Sequence, residues 1–348
     1  MRRNPAKSTW RRILWAAVVT LAALALLEMT AGIVWKQIRW RPTVVQFDPA
    51  SEFHNRLYFQ KDRLLFWRLR PGQILRGGYM GSRDVTEGIR ISRLGFRGDD
   101  FPPQPAAGVV RIVFMGDSLT FGFRVKDTET YPYLFKKKFD RLSISPLPIE
   151  VINAGVPGYS TLQGLRYLKG DVLPLRPHIV LLAFGANDQF QAFGGDDRTY
   201  AESQLASSTG PKRPPWLTRF YLVRFIAAGI RELKFKPGGS GTRVSEADTR
   251  ANLIAMIKLC RDAHVEVVLL PDGRGENHVE AGKRMHAPVI DLRPPEFERL
   301  RDQLSIPDDG HPNAAGYRVI AEYLVGLPEI QQLIVKVAKT VRAAAEIL

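Results

Sequence analysis

A chain of 348 residues with 45% hydrophobic and 24% charged residues carries enough apolar material for one large or two modest cores, which excludes a disordered chain. Its formal net charge of +15 invites nucleic acid, an anionic membrane surface or an acidic polymer, but the 50 lysines and arginines are spread along the chain without zinc-finger spacing or an aromatic RNA-binding signature, so nucleic acid is the weakest of the three and is not expected as a partner. One cysteine, Cys260, rules out an internal disulfide and a multi-cysteine metal cluster, and its helical spacing with Leu253, Met256 and Ile257 makes it a core thiol.

Residues 1–12 form a basic tail, and residues 13–35 read ILWAAVVTLAALALLEMTAGIVW. At ~1.5 Å per residue this run is long enough to cross a ~30 Å hydrocarbon core. Trp10, Trp15, Trp35 and Trp40 lie near its two ends, where interfacial anchors belong. Glu28 interrupts it, either near the interface or after a shorter apolar core ending at Leu27. A cleaved signal peptide is the competing reading, but no small-x-small cleavage site follows and the run exceeds a usual signal core, so an uncleaved anchor is favoured. Arg2, Arg3, Lys7, Arg11 and Arg12 precede the span while Lys36, Arg39 and Arg41 follow it. The positive-inside bias then keeps the tail in the cytoplasm and turns the rest of a single-pass inner (cell) membrane protein towards the periplasm or exterior.

Residues 36–105 lack helical periodicity, and the alternation in GIRISRLGF predicts short strands packed on the main domain as a β-rich extension. From residue 106 to 326 the pattern becomes strand, turn, helix, repeated, with apolar runs VVRIVFM, IEVINAG, HIVLLAFG, VEVVLLP and PVIDL. Five nearly continuous apolar strands alternating with helices predict an α/β domain with a parallel sheet covered on both faces. Ser245 and Asp248 form a capping-box pattern before the helix carrying Leu253 to Cys260, and Pro312 is expected in the first turn of the last core helix. Residues 189–244 interrupt the alternation with GPKRPPW, a basic amphipathic run and GGSG. Such an insertion is a lid, a docking surface or a helix covering the sheet, and the reading leans to a pocket wall. Residues 327–348 read as a basic amphipathic helix.

The chemistry collects at strand ends. Ser118 follows the first of the five strands in GDSLTFG, Gly155 stands at the end of the second in NAGVPG, Asn187 follows the third in FGAND, and Asp308 and His311 stand in DDGHP. In a parallel sheet these turns share one rim, although they are far apart along the chain. A serine hydroxyl needs a base to take its proton, histidine suits that task near neutral pH, and a carboxylate fixes the imidazole tautomer. Asp308 and His311, three apart at a turn entering a helix, can meet on one side, with Asp309 as a rival for the orienting role. The backbone N–H groups of Ser118 and Gly155 and the side-chain amide of Asn187 are the available oxyanion donors. Asp117 and Asp188 read as structural turn carboxylates. His54, His178, His264, His278 and His286 lack a matching carboxylate, and among them His278 could line the pocket. No paired ligand spacing supports a metal site.

These blocks resemble the GDSL or SGNH hydrolase family. The family's serine, glycine, asparagine and histidine match Ser118, Gly155, Asn187 and His311, in the family's order and over residues 109–325. The resemblance implies a flavodoxin-like three-layer α/β/α sandwich and cleavage or transfer of acyl esters without a metal or other cofactor. GFRGDD at residues 95–100 resembles the extension of membrane-anchored bacterial members, which points to a small acyl ester or an acylated envelope carbohydrate as substrate. The leading expectation is a serine esterase or deacylase working through an acyl-enzyme. An O-acyltransferase shares the first half-reaction and differs only in its acceptor. A non-catalytic carbohydrate-binding or assembly subunit would have no need of Ser118, Asn187, Asp308 and His311 together.

Overall fold

The computed structural model describes residues 5–40, 59–75, 89–190, 196–199, 202, 220–223, 241–273, 275–307 and 310–346. The chain divides into two compact units, Met1–Asp48 with Leu205–Gly239 and Pro49–Gln204 with Ser240–Leu348.

In the first unit the apolar run forms one helix, α1 (Pro5–Trp40). Its stretch Trp10–Val34, of mean hydropathy 2.1, is long and apolar enough to cross a membrane. The hydroxyls of Thr20 and Thr30 bond back to the carbonyls of Ala16 and Leu26, so they leave no polar group unpaired on an apolar surface. Glu28 is satisfied too: its carboxylate accepts the N–H groups of Tyr221 and Leu222 at 2.5 and 3.0 Å. Gly32, one turn further, packs against the Tyr221 ring.

The second unit is built on a parallel sheet. Its strands among the described residues are, in chain order, β5 (Val110–Gly116), β6 (Ile149–Gly155), β7 (Ile179–Ala183) and β8 (Glu266–Leu269), arranged β6-β5-β7-β8. They follow four short strands of the extension: β1 (Phe59–Asp62) pairs antiparallel with β2 (Phe66–Leu69), and β3 (Ile74–Leu75) with β4 (Ile89–Arg90). The apolar runs form strands because a sheet buried on both faces needs apolar residues at every position, and every residue of β5 and β7 is buried.

The expected fifth strand is a correction. Residues 288–292 run beside β8 but contribute one parallel bridge, Leu269 to Val289, so among the described residues the sheet has four strands and not five. Pro271 and Pro288 lack the N–H groups that would extend the ladder, and bonding is confined to Leu269 with Pro288 and Ile290 and to Leu292 with Pro271.

Alternate β5 residues Val110, Ile112 and Phe114 enter a core with α3 (Tyr131–Leu142), α9 (Ala314–Gly326) and α10 (Pro328–Ala345). Phe114 meets Tyr131 and Phe135 edge to face at 5.4 and 5.2 Å, and each such fully buried side chain contributes about 1.5–3 kcal/mol. The opposite helical layer contains α4 (Thr161–Tyr167), α5 (Glu246–Asp262) and α6 (Glu276–Met285). Ser245 caps α5, accepting from Asp248 N–H at 3.1 Å, as its sequence pattern predicts. Two further short helices, α7 (Pro295–Arg299) and α8 (Arg301–Leu304), precede α9. The cap of α9 is Asn313, which accepts from Ala315 and Gly316, so Pro312 lies before the helix and not in its first turn. α10 buries Ile330, Ile334, Val337 and Ala338, the single face expected of an amphipathic helix.

Most of the 189–244 insertion, and with it the expected lid or pocket wall, lies outside the described residues. Its two ends meet. Arg243 N–H donates to Phe190, Asp197 N–H to Arg243 and Val244 N–H to Asp188.

Candidate active site

Strand register sets the rim. Gly116, the last residue of β5, lies opposite Gly155 of β6 and Ala183 of β7, so the turns after all three strands emerge at one level. From Gly116 the chain turns at once into α2 (Ser118–Phe121), a single turn capped by the Asp117 carboxylate, which accepts Leu119 N–H at 3.0 Å. The turn can press onto the sheet because both facing residues are glycines. A Cβ on Gly116 would stand 2.1 Å from Thr120 Oγ1, and one on Gly155 2.1 Å from the backbone nitrogen of Phe121.

Ser118 Oγ and His311 Nε2 lie 2.7 Å apart, although 193 residues separate them. His311 is held by its own loop, where its carbonyl accepts from Ile306 N–H at 2.7 Å and Pro312 bridges to Ser305. Its ring packs on Phe123 with centroids 4.8 Å apart. Asp308 and Asp309, the two carboxylates expected to orient the imidazole, lie outside the described residues.

Asn187 is buried beside the serine turn. Its amide nitrogen donates to Asp117 Oδ2 at 2.9 Å and to the Tyr159 carbonyl at 3.1 Å, so it bridges the turns after all three strands. Burial pushes the Asp117 carboxyl up to about 7, against the opposing effect of the Leu119 N–H, with Asp272 and Asp188 adding negative charge nearby. Asp188 accepts from Thr161 N–H, Thr161 Oγ1 and Thr249 Oγ1, which pins the Asn187 turn to α4 and α5. Its carboxyl is raised to about 6 because burial outweighs those three bonds.

Gly155 is brought to the rim, but its N–H donates to Asn153 Oδ1 at 2.9 Å. That bond and the contact with Phe121 make it a packing residue of the turn rather than a ready donor. Gly158, three residues on, is buried with φ of 79° and adjoins the Tyr159 carbonyl that Asn187 contacts. The reading of the sequence missed it, and the second glycine of NAGVPG was its only signal.

Two elements outside the strand-end motifs hold this loop. Trp67 of β2 donates its indole N–H to Pro157 at 3.1 Å and accepts the Tyr159 hydroxyl at 2.6 Å. Arg243 donates to the Gly158 carbonyl at 2.7 Å while paired bidentately with Asp197 and bonded to Gln163. Neither residue belongs to a periodic pattern, so neither was visible in the sequence.

The remaining histidines fall elsewhere. His278 is buried, its Nε2–H donating to the Phe184 carbonyl at 2.8 Å, and burial lowers it to about 4. It packs under Gly185. His178 accepts from Arg111 N–H at the opposite end of β5, His264 and His286 terminate helices at positive φ, and His54 lies outside the described residues. The Cys260 thiol is pushed up to about 12 by burial and is inert. Among the described residues no group of three or more His, Cys, Asp or Glu side chains could hold a metal ion.

A family model, GDSL-like Lipase/Acylhydrolase family, matches residues 114–319, and the chain belongs to that family. It is 30% identical over 88 residues to Thioesterase 1/protease 1/lysophospholipase L1 of Escherichia coli strain K12. That match covers 25% of this chain and 39% of the relative's length. Among solved structures, the fold is similar to a lipolytic protein of the G-D-S-L family from Desulfitobacterium hafniense DCB-2, at TM-score 0.40 and 16% identity over 62% of this chain and 98% of the other. It is also similar to the lipase/acylhydrolase from Enterococcus faecalis, at TM-score 0.41 and 22% identity over 64% and 96%. An acetylxylan esterase from Geobacillus stearothermophilus gives TM-score 0.39 and 16% identity over 63% and 94%.

Proposed function

We propose that this protein hydrolyses acyl esters through an acyl-serine intermediate, with Ser118 as nucleophile and His311 as base. The observation that carries this reading is the 2.7 Å separation of Ser118 Oγ and His311 Nε2 at the head of a capped turn on the strand-end rim. A serine hydroxyl within hydrogen-bond reach of an imidazole nitrogen is the arrangement that activates it. The Ser118 proton passes to His311 as Oγ attacks the acyl carbon. His311 returns that proton to the departing alcohol, then takes one from the water that attacks the acyl-enzyme and passes it to Ser118 Oγ as the free acid leaves. Asp308, three residues before His311, is proposed as the group that orients the imidazole.

The oxyanion is stabilised by the Ser118 N–H and the Asn187 amide, joined by the N–H of Gly158 in place of Gly155, whose N–H Asn153 occupies. In the resting structure Asn187 gives one amide hydrogen to the neutral Tyr159 carbonyl. A charged oxyanion is a stronger acceptor than a neutral carbonyl, by roughly a factor of two in bond strength, and displaces it.

The proposed substrate is a small acyl ester, and an O-acetylated envelope carbohydrate is the class in view. The acetylxylan esterase among the similar folds is compatible with it. α1 is proposed as a single-pass anchor in the cell membrane, its basic leading residues cytoplasmic and the sheet unit facing the periplasm or exterior.

The test is release of free acid from p-nitrophenyl esters of increasing chain length, beside acetylated polysaccharides, by the full chain and by Ser118→Ala. Hydrolysis lost in the variant supports the reading, and hydrolysis undiminished in the variant refutes it. Acyl transfer to an added sugar in preference to water would make the protein an O-acyltransferase.

A further inference from the structure

Arg97 belongs to the extension, not to any strand-end motif, yet its buried guanidinium is spent on the turn that follows the reactive serine. Nη1 donates to the carbonyls of Phe121 and Gly122 at 2.6 and 2.5 Å, and Nη2 to that of Val125 at 2.6 Å. Nε reaches Asp127 Oδ1 at 3.1 Å, and the guanidinium lies over the Phe121 ring, 4.6 Å from its centroid. The Arg97 backbone is itself fixed to β6 through Asn153. A one-turn helix and its exit leave such carbonyls weakly partnered: beside Arg97, that of Gly122 accepts from Val125 N–H, and that of Phe121 from the Asn153 amide, each at 3.4 Å.

The turn so held carries one member of the reactive pair, Ser118, and the ring against which the other, His311, packs. Its start is Ser118, whose carbonyl accepts from Gly122 and Phe123. Phe123, between the carbonyls that Arg97 grips, is the ring on which His311 packs. Gly122 closes the turn at φ of 84°, and a Cβ there would stand 3.1 Å from Arg97 Nη1 and 2.5 Å from Thr130.

We propose that Arg97 is a positioning residue for the reaction, which makes the extension an integral part of the catalytic site: by fixing the Phe121 to Val125 turn it sets the distance and angle between Ser118 Oγ and His311 Nε2. This rests on the functional reading above. A planar fork can reach three carbonyls and a carboxylate at once, which the single ammonium of lysine cannot do. Loss of that geometry acts on the approach of hydroxyl to imidazole, which is a matter of kcat and not of substrate affinity.

The experiment compares full-length wild type, Ser118→Ala, Arg97→Lys, Arg97→Ala and Phe123→Leu in detergent, by p-nitrophenyl acetate kinetics, fluorophosphonate labelling rate and thermal melting. Both Arg97 variants and Phe123→Leu, measured on their folded fraction, are expected to lose about tenfold to a hundredfold in kcat with KM changed less than about twofold. Guanidinium ion at low millimolar concentration is expected to restore part of the activity of Arg97→Ala and none to Ser118→Ala. Wild-type kcat per folded molecule in the Arg97 variants overturns the proposal, as does a rise in KM that accounts for the whole loss. If Arg97→Lys and Arg97→Ala do not fold, Phe123→Leu decides: an unchanged kcat overturns the link from turn to histidine. An inactive, unlabelled wild type would instead refute the esterase reading itself, so the two failures are distinguishable.

Discussion

Asn187 donates its amide to Asp117 Oδ2 at 2.9 Å, which ties the turn after β7 to the residue immediately before the proposed nucleophile. The acceptor is a buried carboxyl raised to about 7, so its charge changes near neutral pH. In the native state Asp117 holds its proton up to about pH 7, whereas the unfolded carboxyl releases it near 3.8. Between these values the native state binds more protons than the unfolded one, so this group's contribution to stability falls as pH rises. Asp188, raised to about 6, acts in the same direction. Melting temperature of the wild type is therefore expected to decline more steeply from pH 4 to pH 7 than that of Asp117→Asn. Parallel curves would show that Asp117 is ionised throughout.

The two glycines of the β6 turn are expected to fail differently. Gly155→Ala forces a methyl against the Phe121 backbone nitrogen, and overpacking of this kind costs about 1–3 kcal/mol. Its principal effect is a lower melting temperature. Gly158→Ala strains a residue at φ of 79° and tilts its peptide away from the site, so its principal effect is a lower kcat. Measuring both quantities on both variants checks the assignment, and a kcat effect confined to Gly155→Ala would return the oxyanion donor to that residue.

Trp67→Phe keeps most of the ring that packs on Tyr159 but removes the N–H that Pro157 accepts. Leaving that buried carbonyl unpaired costs about 1–3 kcal/mol. The loop it holds carries Gly158, so kcat on p-nitrophenyl acetate is expected to fall together with stability. A melting temperature and kcat both equal to wild type would show that the loop holds without the extension.

Which histidine serves as base is open to a pH profile. Were it His278, burial at about 4 would keep it neutral and the rate would stay level down to that pH. His311 as base instead makes the rate fall before that pH is reached, because a protonated Nε2 cannot accept the Ser118 proton. A profile level to pH 4, together with full activity in His311→Ala, would assign the base elsewhere.

The elements that could be read from the sequence are those with a local chemical signature. Continuous apolar runs marked β5 to β8, and abrupt stops at Gly-Asp-Ser and at Gly-Ala-Asn-Asp marked the turns that carry Ser118 and Asn187. PVIDL carried the same apolar signature, and the two prolines that flank its single bridge, Pro288 before it and Pro271 beyond it, decided against a full strand. The choice between Gly155 and Gly158 depended on where one amide hydrogen goes, which Asn153 settles only in three dimensions. His278 looked suited to the pocket because it follows the β8 end, yet the strand's exit turns it beneath Gly185. The roles of Arg97 and Arg243 were illegible for a physical reason: a lone buried arginine has no periodicity, and its partners are backbone carbonyls, which any sequence supplies, and carboxylates some thirty to fifty residues away, Asp127 and Asp197.

The most direct measurement of the central claim is the site of covalent labelling by a fluorophosphonate, read by peptide mass spectrometry on the full chain. Attack by Ser118 Oγ, 2.7 Å from His311 Nε2, predicts one phosphonylated residue, Ser118, with labelling abolished in Ser118→Ala and slowed by orders of magnitude in His311→Ala. A label on any other residue, or a wild type that cleaves esters while Ser118 stays unmodified, would contradict it.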